Sequence, residues 1–234
     1  MELAKKMEKT QEQQTIFEDF LGIIKEFFQH PILTFYKYGA KVLVHLVYRV
    51  EFHGFENIPK KGPAILICNH VSYVDGLLIH TACKRNVRFV IDQDIYGLPI
   101  VHYFMRLGGA IPISPNKNSV TQALQEVSQA MREGDLVCIF PEGSLTYTGN
   151  MTRFRFGVEW MVKNDGISVV PMALGGLWGS MFSRKYRNSK IRWFPRSLFR
   201  KIIAVCGKPI PPEKATINYM QRVVMELKNS TGLL

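Results

Sequence analysis

The pattern of apolar and polar residues begins with two helical segments. Residues 16–28, IFEDFLGIIKEFF, place apolar side chains on one broad face of a helix and charged side chains on the opposite face. Pro31 interrupts this pattern, and residues 32–50 resume it as a helix that is apolar almost all round. Its narrow polar stripe consists of Lys37, Lys41 and His45. Such a pair of helices either covers a protein core or lies in the headgroup region of a bilayer.

From residue 51 onward, short apolar runs alternate with helical patterns, which is typical of strands connected by helices. Strands are predicted in PAILICNH, VRFVID, GAIPIS, DLVCIFPEG, ISVVPMAL and KIIAVCG. Helices are predicted near 75–84, 99–107 and 155–164, and in SVTQALQEVSQAMREG and TINYMQRVVMELK. The alternation predicts an α/β fold in which helices cover a mainly parallel sheet.

The length of 234 residues accommodates one sizeable α/β domain rather than two. We therefore expect a polar tail over residues 1–15, a pair of amphipathic helices over 16–50, and a single domain over 51–234. The polar start of the chain lacks the apolar centre of a secretory signal. No apolar run reaches the roughly 20 residues that span a bilayer.

The chain is strongly basic, with a formal net charge of +11. Residues 184–201 contain eight Lys and Arg, no acidic residue, and several bulky apolar side chains. A basic segment mixed with bulky apolar residues is typical of an anionic membrane surface, so we interpret residues 16–50 as membrane-docking helices. Motifs of RNA- and DNA-binding domains are absent from the sequence, and we expect no nucleic-acid partner.

The cysteine and histidine residues indicate neither disulfides nor a metal site. The four cysteines are far apart, and three of them lie in strand-like apolar runs, as expected for reduced core residues. None of the six histidines forms a short-spaced cluster with Cys or another His. We predict no metal ion.

The segment NHVSYVD, residues 69–75, directly follows the buried run AILIC. In one interpretation Ser72 caps a helix and Asp75 completes a capping box, so that His70 is incidental. In the other, His70 is a general base and Asp75 orients its ring. Two further polar segments, PEGSLTYTG and the loop after VVPMAL, also follow strands, and sites form where parallel strands end. We expect the three segments to form one pocket.

These segments resemble the glycerolipid acyltransferases, the superfamily of lysophosphatidic acid acyltransferase. NHVSYVD is similar to the NHxxxxD signature, FPEGS to the second diagnostic block, and VVPMAL to the late proline block. GGAIPIS occupies the place of the intervening block, without the Arg that many members carry at its end. The resemblance covers about residues 50–215. FPEGSLTYTG and PMALGGLWGSMFSR are most similar to the branch that contains the 2-acylglycerophosphoethanolamine acyltransferase domains.

The resemblance implies acyl transfer from a thioester to a free glycerol hydroxyl of a lysophospholipid, with His70 as the base and Asp75 as its orienter. The donor would be acyl-coenzyme A or acyl-acyl carrier protein, and no other cofactor is expected. The protein would work at the cytoplasmic face of a membrane as a peripheral or monotopic protein. Residues 51–234 would form the acyltransferase domain. The expected substrate-binding residues are Asn69, Glu142, Gly143, Ser144, Arg153 and Arg155.

The residues after Gly143 bear on the acceptor headgroup. Lysophosphatidic acid acyltransferases typically have an Arg there, whereas Ser144 and Leu145 follow Gly143 in this chain. This difference favours a lysophospholipid such as lysophosphatidylethanolamine, with Arg155 and Arg153 as phosphate contacts. Three alternatives remain open. They are a 1-acylglycerol-3-phosphate acyltransferase that makes phosphatidic acid, a hydrolase with the same His–Asp pair, and a non-catalytic membrane-binding module.

Overall fold

A computed structural model describes residues 31–186 and 199–233 of the chain. The predicted tail over 1–15, the helix over 16–28 and most of the basic segment 184–201 lie outside these residues. Contacts divide the chain into Met1–Ala40 and Lys41–Leu234. The sheet, the core and the site all belong to the second unit.

The first described helix, α1, spans Pro31–Val47, and the strand β1, Tyr48–His53, follows it without a loop. The helix predicted over 32–50 is therefore too long by three residues. In YRVEFH, side chains alternate between buried or half-buried and exposed positions, which is the period of a strand. Strand β1 pairs in parallel with β7, Arg200–Cys206, and this distant partner overrides the helical pattern of the preceding residues.

The other elements follow the predicted alternation closely. The remaining strands are β2 (Ala64–Cys68), β3 (Val87–Asp92), β4 (Ile111–Ile113), β5 (Leu136–Ile139) and β6 (Val169–Gly175). The remaining helices are α2 (Asp75–Ala82), α3 (Gln93–Tyr96), α4 (Pro99–Leu107), α5 (Lys117–Arg132), α6 (Gly157–Asp165) and α7 (Ile217–Ser230). Short 3₁₀ turns occur at Phe55–Asn57, Arg184–Tyr186 and Pro212–Lys214.

The strands form one sheet in the order β1-β7-β6-β2-β5-β3-β4. All neighbouring strands run parallel except β6 and β7, which are antiparallel. The α/β fold with a mainly parallel sheet is confirmed. Strands β2, β5 and β6 are buried along their whole length, because helices cover both faces of the sheet. The ends of these three strands carry the polar segments singled out in the sequence.

The core has two layers, one on each face of the sheet. In β2, Leu66 and Cys68 face one layer, while Ile65 and Ile67 face the other. All four cysteines are buried free thiols. Burial raises the pKa of Cys68, Cys138 and Cys206, which keeps these thiols protonated and unreactive.

Among the helices that the structure describes, none combines the length and apolarity required to cross a membrane. Within residues 31–186 and 199–233, no group of three or more His, Cys, Asp or Glu side chains is placed to hold a metal ion.

Candidate active site

His70 and Asp75 form a hydrogen-bonded pair between the end of β2 and the start of α2. His70 Nδ1 lies 2.9 Å from Asp75 Oδ2. Oδ2 also accepts hydrogen bonds from the backbone N–H groups of Val71, at 2.6 Å, and Ser72, at 2.9 Å. Because the carboxylate acts as an acceptor in all three contacts, Nδ1 is the protonated ring nitrogen. The Nε2 lone pair is then available as a base.

The bonds of Asp75 show that both interpretations of NHVSYVD describe part of its geometry. The bond from Ser72 N–H to the Asp75 side chain is the return half of a capping box. The forward half is missing, because α2 is preceded by Val74 with no side-chain cap and Ser72 Oγ accepts only a 3.4 Å contact from Val74 N–H. The carboxylate therefore holds the loop and the imidazole at the same time.

The His70 ring is fixed on its flat side as well as at Nδ1. It stacks on Phe140, with ring centroids 4.1 Å apart and an interplanar angle of 15°. The His70 side chain is 22% exposed, whereas the Asp75 side chain is fully buried. A substrate can therefore reach the imidazole, while its orienting carboxylate is shielded from water.

Glu142 is buried and bonds the loop that carries His70. Its Oε1 accepts the backbone N–H of His70 at 2.8 Å. Its Oε2 accepts the backbone N–H of Thr152 at 2.6 Å and the Thr152 hydroxyl at 2.8 Å. Both carboxylate oxygens are therefore engaged within the protein. In this arrangement Glu142 shapes the site by positioning His70.

Asn69 is also buried, and it connects the ends of β2 and β6. Its Oδ1 accepts the backbone N–H of Leu174 at 2.8 Å, and its Nδ2 donates to the carbonyl of Leu174 at 3.0 Å. Two strands that end side by side are thereby held in register where the site begins.

Gly143 and Arg155 lie against each other on the surface beside the site. Gly143 has a φ of +70°, and a Cβ atom at this position would collide with the Arg155 guanidinium. The backbone N–H of Arg155 donates to the carbonyl of Pro141 at 2.8 Å, which fixes the start of its side chain. Ser144 and Arg153 are exposed on the same segment, residues 143–155.

The three polar segments that follow strands come together as expected. The backbone N–H of Thr146 donates to the carbonyl of His70 at 2.9 Å, which joins the second segment to the first. Ser72 forms a β-bridge with Ser183, and the Tyr73 N–H donates to the carbonyl of Phe182 at 3.2 Å, which joins the third segment to the first.

The structure places two residues, Leu145 and Arg184, differently from what the sequence led us to expect. Leu145 is 4% exposed, so its side chain belongs to the interior. Arg184, interpreted only as part of the basic segment, donates from Nη1 to the carbonyl of Leu145 at 3.2 Å. Thr152 was not expected at the site, since no spacing in the sequence distinguishes it from ordinary loop residues. Phe140 begins the FPEGS block, but its stacking on His70 was not expected.

The Acyltransferase family model matches residues 49–175, which include His70, Asp75, Glu142 and Arg155. The chain belongs to the Acyltransferase family. The branch inferred from FPEGSLTYTG stays a prediction.

Several curated relatives of the protein are named 1-acyl-sn-glycerol-3-phosphate acyltransferase. A chloroplastic 1-acyl-sn-glycerol-3-phosphate acyltransferase of Arabidopsis thaliana is 27% identical over 144 residues, which are 60% of this chain and 40% of that protein. The enzymes of the same name from Borreliella burgdorferi and Pseudomonas aeruginosa are 34% and 28% identical over 52% and 59% of this chain, and over 49% and 54% of their own lengths. The chain thus matches about half the length of these relatives.

The fold is similar to a crystal structure of the 1-acyl-sn-glycerophosphate acyltransferase of Thermotoga maritima. The TM-score is 0.69 at 20% sequence identity, and the match covers 95% of this chain and 87% of that one. At this identity the similarity establishes the fold.

Proposed function

We propose that the protein transfers a fatty acyl group from a thioester to the free hydroxyl of 1-acylglycerol-3-phosphate, which yields phosphatidic acid. The observation that carries this proposal is the 2.9 Å contact between His70 Nδ1 and Asp75 Oδ2, in which the His70 side chain is partly exposed and the carboxylate is buried. The names of the relatives support the same reaction.

The His–Asp pair supplies the base that an alcohol nucleophile needs. Nε2 of His70 takes the proton of the acceptor hydroxyl as its oxygen attacks the thioester carbonyl. Asp75 stabilises the imidazolium that forms, and the Phe140 ring keeps the imidazole in plane. When the C–S bond breaks, the imidazolium returns the proton to the departing sulfur. The acceptor hydroxyl is itself the nucleophile, so the reaction requires no acyl-enzyme.

The proposed acceptor is the alternative that the sequence analysis left open, not its main expectation. Ser144 and Leu145 favoured a phosphodiester headgroup, but the Leu145 side chain is buried. The named relatives favour the alternative, a phosphomonoester acceptor. Arg155, exposed beside Gly143, and Arg153 stay predicted contacts of its phosphate.

We further propose that the protein docks on an anionic membrane surface and takes its acyl group from acyl-coenzyme A or acyl-acyl carrier protein. Val42, Leu43 and Leu46 on α1 are 60%, 56% and 65% exposed, which is costly in water and favourable in a headgroup region. The net charge of +11 favours an anionic surface, and the cytoplasmic face fits this charge.

The direct test incubates the purified protein with a panel of lysolipids and both classes of donor, and identifies the products by mass spectrometry. We expect phosphatidic acid as the main product when lysophosphatidic acid and lysophosphatidylethanolamine compete at equal concentration. Release of free fatty acid without esterified lipid would show a hydrolase instead. Vesicle binding without any product would show a non-catalytic membrane-binding module.

A further inference from the structure

Arg184 is held beside the active site by two contacts, and within residues 31–186 and 199–233 they leave most of its N–H donors without an acceptor. Nη1 donates to the carbonyl of Leu145 at 3.2 Å, and the guanidinium carbon lies 4.5 Å from the centroid of the Tyr147 ring. A carbonyl and an aromatic face orient a cation without neutralising its charge. The fork of N–H donors that a guanidinium presents is thus fixed in direction and only partly used.

The link from Arg184 to His70 passes through a single peptide group. The carbonyl of Leu145, which accepts from Arg184, and the N–H of Thr146, which donates to the carbonyl of His70 at 2.9 Å, belong to the same planar unit. Ser183, which directly precedes Arg184, forms a β-bridge with Ser72 in the loop that carries His70. The guanidinium therefore has a defined position relative to the base.

The charge on Arg184 has no acidic partner in the described part of the chain. Residues 31–186 and 199–233 contain no ion pair that involves it. Its Nε atom is buried and has no hydrogen-bond partner among the residues that the structure describes. By contrast Arg88, also half-buried, pairs with both Glu133 and Asp135. A half-buried guanidinium without an acidic partner among the described residues is suited to an anion that arrives from outside.

We propose that Arg184 binds a phosphate group of the substrate and acts as a specificity-determining residue of the site. This inference rests on the proposed function, because a phosphorylated substrate must come to His70. Of the two substrates, the acceptor fits better. Its phosphate is attached to the same glycerol as the reacting hydroxyl, whereas the phosphates of coenzyme A or a carrier protein lie a long pantetheine arm away from the thioester.

The test compares steady-state kinetics of the wild type, Arg184→Gln and Arg184→Lys with each substrate varied in turn. For Arg184→Gln we expect kcat/KM for lysophosphatidic acid to fall by about 10- to 100-fold, which corresponds to a charge-assisted hydrogen bond. This fall in kcat/KM should come mainly from a higher KM for the acceptor. Arg184→Lys keeps the positive charge but lacks the forked donors of a guanidinium, so its kcat/KM for lysophosphatidic acid should fall less than that of Arg184→Gln. With monoacylglycerol, which has the hydroxyl but no phosphate, the Gln variant should differ from the wild type by less than about threefold.

The matched control is Arg132→Gln at the end of α5, whose guanidinium contacts Gln129 far from the site. It should behave as the wild type. Thermal unfolding establishes that each variant is folded, and if Arg184→Gln is not, Arg184→Lys and the phosphate-free acceptor decide the question.

The source of the phosphate is identified by which KM rises. A rise confined to the donor KM, and absent with an N-acetylcysteamine thioester, would assign the site to the donor's phosphate. Unchanged KM values for both substrates in both variants would overturn the inference. A wild-type protein that transfers no acyl group is a different result, and it would contradict the proposed function itself.

Discussion

The backbone N–H of His70 donates to Oε1 of Glu142 at 2.8 Å, so a buried carboxylate on one strand-end segment holds the base on another. We expect Glu142→Ala to lower the free energy of unfolding by about 1–3 kcal/mol, because the N–H groups of His70 and Thr152 lose their acceptor. Acyl transfer should fall as well, since the loop that carries His70 is no longer fixed. Urea unfolding and initial rates measure the two effects.

The control for this prediction is Glu226→Gln on α7. Its carboxylate is 68% exposed and makes only a 3.9 Å contact with Arg222. Removal of this charge should change the unfolding free energy by no more than about 0.5 kcal/mol. If Glu142→Ala were as stable and as active as this control, Glu142 would not position the base.

Two substitutions at Asp75 separate its two roles. Asp75→Asn keeps the size of the side chain but removes the charge that fixes the His70 tautomer, so turnover should fall by about 10²-fold or more. Asp75→Ala also removes the acceptor of Val71 N–H and Ser72 N–H, so unfolding should become easier by about a further 1–3 kcal/mol. Loss of stability without loss of turnover would mean that Asp75 serves the backbone alone.

Glu159 on α6 contributes to the pH dependence of stability. Hydrogen bonds from Lys163 and from the backbone N–H of Ile217 lower the pKa of Glu159 below 4.5 in the folded state. Between that lowered value and 4.5 the unfolded state binds more protons, so stability rises with pH in this window. The contribution is present above about pH 4.5 and is lost as the pH falls through the folded-state value.

We therefore expect the unfolding free energy of Glu159→Gln to fall less steeply than that of the wild type as the pH is lowered from about 5.5 to 3. Lys163→Met removes the larger cause of the shift and should also flatten the curve. Urea titrations at each pH provide the slopes. Identical slopes for the wild type and Glu159→Gln would contradict the assignment.

Membrane docking should depend on the apolar surface of α1. Replacing Val42, Leu43 and Leu46 together by Ser removes about 1 kcal/mol of apolar transfer energy for each half-exposed side chain. Binding to vesicles that contain anionic lipid should weaken at least about tenfold in co-sedimentation. The control is Met225→Ser on α7, which is 43% exposed. Equal binding by both variants would show that α1 does not dock.

The sequence predicts the alternating architecture well because strand and helix periods are local properties. It fails at Tyr48–His53, where an apolar helix passes directly into a strand whose partner, β7, lies about 150 residues away. The antiparallel pairing of β6 with β7 was equally hidden, since strand order is decided by packing between distant segments.

The candidate site, too, could be predicted from the sequence only where its residues are close along the chain. His70, in the loop after β2, and Asp75, the first residue of α2, stand five residues apart, so their spacing alone suggests a pair. The contacts of Glu142 with His70 and of Arg184 with Leu145 join residues 72 and 39 positions apart, which no local pattern reveals. Leu145 was linked to the acceptor headgroup because it stands where lysophosphatidic acid acyltransferases typically have an Arg, but its apolar side chain is buried.

The substitution His70→Ala tests the central claim that His70 is the general base. Its backbone bonds to Glu142 and Thr146 do not involve the side chain, so the variant should fold and bind vesicles normally. Transfer to lysophosphatidic acid, followed by mass spectrometry, should fall by about 10²–10⁴-fold. His53→Ala, which removes an exposed imidazole on β1, should retain full activity. Near-normal turnover by folded His70→Ala protein would contradict the mechanism.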